Sequence, residues 1–142
     1  MHISVIWRLW LLLFSISPAV YAGDLEVRVA GSGAAAQLVC ALFASEAGFP
    51  VDSSAARRAR ATATPNGPVC EFHAVPAGQW AVAVVQDENH NDRIDTSFFG
   101  VPTEAWGVSG NVRHALRAPR FSEAMFTLTP TQTLALTIKV AK

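Results

Sequence analysis

The chain has no excess of charge of either sign. Eleven Lys and Arg stand against eleven Asp and Glu, and only 15% of its residues are charged. That balance excludes the basic footprint by which nucleic-acid binders hold phosphate. Arg57, Arg58 and Arg60 form the one local excess. They read as a solvated strand or loop, with anion or membrane-surface contact as the alternative. Catalytic constellations are missing too. There is no His-x-x-x-His metal pair, and His73, His90 and His114 have no acid and nucleophile at recognisable spacing. Ser109, in Val-Ser-Gly, is not a strand-turn-helix nucleophile elbow. His73 and His114 read as surface residues, and His90 as a solvated side chain facing an acidic loop. The chain is therefore expected not to be an enzyme, with an unrecognised hydrolase as the remote alternative. Beyond residue 22 no apolar run is long enough to span a membrane.

What is present begins with the leader. His2 and Arg8 stand without an acid before the apolar run Leu9 to Ile16, followed by Pro18 and the small-residue site Val20-Tyr21-Ala22. This is the three-part layout of a secretory signal over residues 1–22, with cleavage expected after Ala22. A retained anchor helix, the competing reading, is interrupted by Ser15, Ser17 and Pro18 and falls short of about 20 residues. Residues 23–142 then form one domain of about 120 residues, enough for a real core. The expected location is periplasmic or secreted. In that oxidising setting Cys40 and Cys70 read as a disulfide, closing a loop of about 30 residues worth about 3.5 kcal/mol on the chain-entropy model.

Short strands fill the mature chain. Leu25, Val27 and Val29 alternate with polar residues; Gln37 to Phe43 is apolar on both faces; Val51 to Ala56 suits a short helical turn. Arg58 to Thr64 and Val69 to Ala74 flank Pro65-Asn66-Gly67-Pro68, a hairpin whose prolines suggest a connection longer than two residues. Gln79 to Gln86 is apolar on both faces and belongs in the middle of the structure, with Trp80 in the core. A long loop follows from Asp87 to Pro119, then a turn at Phe121 to Ala124, a short strand from Met125 to Leu128, and a closing strand around Leu134 to Val140. The fold class is all-β, an antiparallel two-sheet sandwich with a long loop region after the central strand. Strand order is not legible from this pattern.

The runs Pro76-Ala77-Gly78-Gln79-Trp80, Asp87-Glu88-Asn89-His90-Asn91, Phe98-Phe99-Gly100-Val101-Pro102-Thr103-Glu104-Ala105-Trp106-Gly107 and Pro119-Arg120-Phe121-Ser122-Glu123-Ala124 occur in an order and spacing that resembles the exported bacterial family known as domain of unknown function 2141. The resemblance covers nearly the whole mature chain. It implies an immunoglobulin-like or prealbumin-like sandwich and no stated activity. Two positions depart from the family pattern: Asp92 stands where Gly is common, and Trp106 where Tyr or Phe is usual. The first bears on a tight turn, because Asp enters positive φ less readily than Gly.

Two candidate sites follow. Asp87, Asn89, Asn91 and Asp95 place oxygens at positions 1, 3, 5 and 9 of a calcium-loop pattern, with Ile94 at the anchoring position. Asp92 and Phe98 stand where that pattern wants Gly and Glu, so Glu104 would have to swing in from the next loop. The competing reading is a hydrogen-bonded turn with no ion. No cofactor other than calcium is suggested. The second candidate is a ligand face of Trp106, Glu104, Phe98 and Phe99. Trp106 is the best exposed contact, and the two Phe are more readily a small core beneath the loop. Partners would be a small molecule, a glycan or an envelope protein. A purely structural domain without ligand is the alternative.

Overall fold

The computed structural model describes residues 21–33 and 37–142, so all of the expected leader 1–22 except Tyr21 and Ala22 lies outside the described residues. Among the described residues nine strands make two sheets: β1 (Ala22–Ala30), β2 (Gln37–Phe43), β3 (Arg57–Arg60), β4 (Thr62–Thr64), β5 (Gly67–Pro76), β6 (Gly78–Asp87), β7 (Trp106–Val108), β8 (Phe126–Leu128) and β9 (Thr133–Lys139). One sheet runs β4-β5-β1-β9 and the other β3-β2-β6-β7, with β8 pairing to the start of β6. The ladders among these strands are antiparallel except β1 with β9, the first and last of the described strands, which run parallel. Among the described residues no helix is long and apolar enough to cross a membrane.

Alternation in β2 and β6 explains the layering. Leu38, Cys40 and Leu42 with Val82 and Val84 face the other sheet, meeting Leu25, Val27, Phe72 and Ile138 in the inter-sheet core. The intervening Val39, Ala41 and Phe43 with Ala81, Ala83 and Val85 face outward into a second core closed by Ile94, Trp106, Val108 and Ala124. Strands apolar on both faces are thus covered on both. Each fully buried Val contributes about 1.5 to 2 kcal/mol by leaving water. Trp80 packs against the inter-sheet core and donates its indole N–H to the Pro76 carbonyl at 2.9 Å.

The expected strand Arg58 to Thr64 is split. β3 pairs with β2 in one sheet, β4 pairs with β5 in the other, and the chain changes sheets at Ala61, whose N–H donates to Leu38 at 2.9 Å. The hairpin connection is shorter than expected. Thr64 pairs with Gly67, leaving Pro65 and Asn66 as the loop, and Gly67 takes φ +104°. A bond between Cys40 of β2 and Cys70 of β5 joins the two sheets, with Cα atoms 6.4 Å apart.

The stretch from Asp87 to Pro119 holds more order than its lack of periodicity suggests. Trp106–Val108 adds a strand to β6, and Ser109–Asn111 forms a 3-10 turn after it. Three-residue strands carry too little alternation to read in a sequence. Gly107 sits where β7 meets β9, since a Cβ there would collide with the Lys139 carbonyl. The expected turn at Phe121 to Ala124 is a single helical turn, α1 (Phe121–Ala124).

Candidate functional site

The acidic loop leaves the end of β6 with Asp87 buried at 1% exposure. Its carboxylate accepts the N–H of Asn91 at 3.1 Å and of Asp92 at 2.9 Å. Glu104 does reach this loop, although not as a swinging ligand. It is buried at 4% exposure and accepts Glu88 N–H at 2.8 Å and Asp95 N–H at 3.3 Å. Asn89 and Asn91 turn their side-chain NH2 groups to the Asp95 carboxylate, while their own oxygens accept backbone N–H groups of the loop. Ile94 is buried in the second core, the anchoring place its position implies.

Asp92 adopts φ +60°, so the left-handed turn that Gly would favour is present without Gly. Its carboxylate accepts from Arg60 at 3.1 Å and lies 3.8 Å from Arg58, and its carbonyl accepts from Ser53 Oγ at 2.8 Å. Arg58 and Arg60 of β3 thus hold the loop, a role that charge alone did not reveal in the sequence.

As arranged, the oxygens of Asp87, Asn89, Asn91 and Asp95 accept N–H groups of the loop itself. Among the described residues no three His, Cys, Asp or Glu side chains are grouped to hold a metal. The geometry is that of an Asx-type turn, closed by its own hydrogen bonds.

The aromatic face is rearranged relative to expectation. Trp106 is not an exposed contact: it is 6% exposed, because it lies in β7 opposite Val85 with its ring in the second core. Phe98 and Phe99 are not a core beneath the loop. They are 97% and 87% exposed, packed edge to face on each other with centroids 5.5 Å apart.

A groove of about 260 Å³ lies beside them, with Trp106 and Ile94 buried in its floor and Phe99, Val101, Val51 and Leu116 on its walls. Leu116 is 98% exposed and Val101 60%. Neither was singled out by the sequence, where each is one apolar residue in an aperiodic loop. The wall from His114 to Ala118 is anchored by Glu123, which accepts from Arg117 at 2.7 Å and lies 3.1 Å from His114. The hydrogen bonds from Arg117 and from the Arg120 N–H hold the Glu123 carboxyl well below the usual glutamate range.

The other polar groups suggested for chemistry are occupied structurally. Ser109 is buried, donates to the Ala124 carbonyl at 2.6 Å and accepts the Val82 N–H at 2.9 Å. His90 lies 2.9 Å from the Gln37 side-chain oxygen, and His73 is exposed near Asp24 and Glu71.

A family model described as an uncharacterized protein conserved in bacteria (DUF2141) matches residues 27–135. No curated protein and no solved structure matches the chain.

Proposed function

The chain belongs to the bacterial family DUF2141, and from that footing we propose that it is an exported, non-catalytic β-sandwich whose groove binds an apolar group of an envelope molecule. One observation carries this reading. Phe99, Val101 and Leu116 stand exposed around a groove with Trp106 and Ile94 beneath them. Clustered exposed apolar side chains on a small domain mark a binding face, whereas scattered ones do not. A purely structural domain would leave this cluster without a reason.

The groove's volume, about 260 Å³, is below the ~300 Å³ at which pockets begin to enclose a drug-sized ligand. It therefore suits one ring or one short acyl segment of a larger amphipathic molecule. Sugar alone is a poorer match, since it asks for several polar partners and the walls are mostly apolar. Export is supported by the leader pattern and by the disulfide joining the sheets. The absence of a catalytic role is supported by Asp87, Glu104 and Ser109, whose oxygens all serve backbone groups.

Fluorescence of anilinonaphthalene sulfonate, an apolar anionic probe, tests the groove in the folded protein. The native protein should enhance the dye, and Phe99→Ser or Leu116→Ser should remove most of that signal with the melting temperature unchanged. No enhancement, or equal enhancement in both variants, would refute the reading.

A further inference from the structure

We propose that the open edge of β9 pairs with the same strand of a second copy, making a two-fold dimer through backbone hydrogen bonds. The proposal is independent of the groove.

The parallel ladder with β1 determines which groups of β9 face outward. Asp24 N–H donates to Gln132 and Val140 N–H donates to Ala30, each at 2.9 Å, so the even-numbered residues of β9 face β1. The odd-numbered residues face away. At the C-terminal end this outer edge is covered. Asn111 donates to the Thr137 carbonyl at 3.1 Å and accepts the Lys139 N–H at 2.8 Å, and Ala141 bridges to Trp106. Before that point it is open. The N–H and carbonyl of Thr133 and Ala135 and the N–H of Thr137 have no protein partner among the described residues.

Other edges are blunted. β3 offers Arg57, Arg58 and Arg60, and β4 is three residues long. Short strands and charge are the usual protections against edge pairing. The segment Thr133 to Thr137 carries no charge and no proline. Leu134 and Leu136 pack on the inter-sheet core yet remain only partly buried, so a strand laid alongside would cover them.

A second copy fits this edge because the segment is self-complementary. With the two-fold axis at Ala135, Thr133 faces Thr137 and Leu134 faces Leu136 of the other copy. Ala135 N–H then donates to the other copy's Ala135 carbonyl, and Thr137 N–H to its Thr133 carbonyl, each bond repeated by symmetry. Asn111 already occupies the edge at Lys139, so the pairing ends at Thr137 and no like charges meet. Asn111 stops the added strand from sliding further along β9. The pairing is short, which makes this a weak dimer.

Sedimentation equilibrium of the mature, disulfide-bonded protein between about 10 and about 500 μM tests the proposal, a range suited to a small interface. The wild type should rise from monomer toward dimer mass. Ala135→Pro removes an N–H that is unpaired within the chain, so it should leave melting nearly unchanged and abolish the dimer. Ala135→Lys should also abolish it by opposing two cations. An equimolar mixture of Ala135→Lys and Ala135→Glu should restore it. Leu116→Ser, in the groove, should dimerise as the wild type does. A wild type that stays monomeric overturns the proposal. So does a dimer that survives Ala135→Lys, a mixture that does not reassociate, or a dimer lost with Leu116→Ser.

Discussion

The Arg113 guanidinium stands over the indole ring of Trp106, 4.2 Å from its centroid, and donates to the Trp106 carbonyl at 2.6 Å and the Ala141 carbonyl at 2.9 Å. One cation thereby fixes a ring of the groove floor, the backbone of β7 and the bridge to the chain's end. Arg113→Ala should cost about 2 kcal/mol, the sum of a cation–π contact and charged hydrogen bonds after solvent screening. Arg113→Lys should recover only part, because an ammonium lacks the planar fork. In a Trp80→Phe background, with the leader removed, Trp106 is the only indole. Its emission should shift to the red in Arg113→Ala, and an unshifted spectrum would show that the arginine does not hold the ring in place.

The acidic loop should be indifferent to calcium. Melting curves in chelator and in about 10 mM calcium, an excess over the weak sites of extracellular modules, are expected to coincide. Asp87→Ala should instead destabilise the protein by about 2 to 4 kcal/mol, since it strands the N–H groups of Asn91 and Asp92. A rise of several degrees with calcium, lost in Asp95→Ala, would show that the oxygens turn from their N–H donors to an ion.

Acid should loosen the groove wall. The Glu123 carboxyl is held below its ordinary value of 4.5 by Arg117 and the Arg120 N–H. A depressed carboxyl stabilises the fold above the unfolded value, and that contribution is lost as pH falls through the folded one. Dye binding by the wild type should therefore weaken on acidification below about pH 4. Glu123→Gln should bind weakly already at neutral pH and change little over the same window. Equal acid responses would remove Glu123 from the account of the wall.

Exported material should begin at Gly23 with Cys40 and Cys70 linked, as intact mass and non-reducing peptide mapping would report. Cleavage after Ala22 removes two carbonyls, those of Tyr21 and Ala22, that accept Ala77 N–H and Thr131 N–H. β1 would then start at Gly23, which still pairs with Val75. Reducing the disulfide should cost about 3.5 kcal/mol on the chain-entropy model. A mature form retaining Met1 would make the leader an anchor, and two freely alkylated thiols would remove the bridge.

Where side chains alternate over seven residues or more, the fold was legible. β2, β6 and β9 stand within a residue or two of where their apolar patterns put them, and the cysteine pair fell on facing sheets. Strand order was not, because hydrogen bonding between strands leaves no mark on the periodicity of either. The exchange of sheets at Ala61 and the parallel partnership of β1 and β9 are of this kind. In the site, Asp87, Asn91, Asp95 and Glu104 were rightly grouped, since oxygen-rich turns have a local pattern. Their role was not legible, because the same spacing serves an ion or the loop's own amides. Trp106 and Phe98 exchanged places for a plainer reason. Which aromatic of a loop is inside depends on where a three-residue strand docks, and three residues are too few to show a period.

The parallel pairing of β1 with β9 has a bearing on how the molecule is made. The strand that completes the four-stranded sheet is the last of the described strands to be synthesised, while its neighbour is the first. Before residue 139 is available, β1 can pair only with β5, and the inter-sheet core lacks Leu136 and Ile138. Contacts between such distant segments form late and slowly. A chain threaded outward from its N-terminus would leave this sheet incomplete until β9 had crossed, and a stalled or truncated copy would present the bare flank of β1 to whatever protease it met.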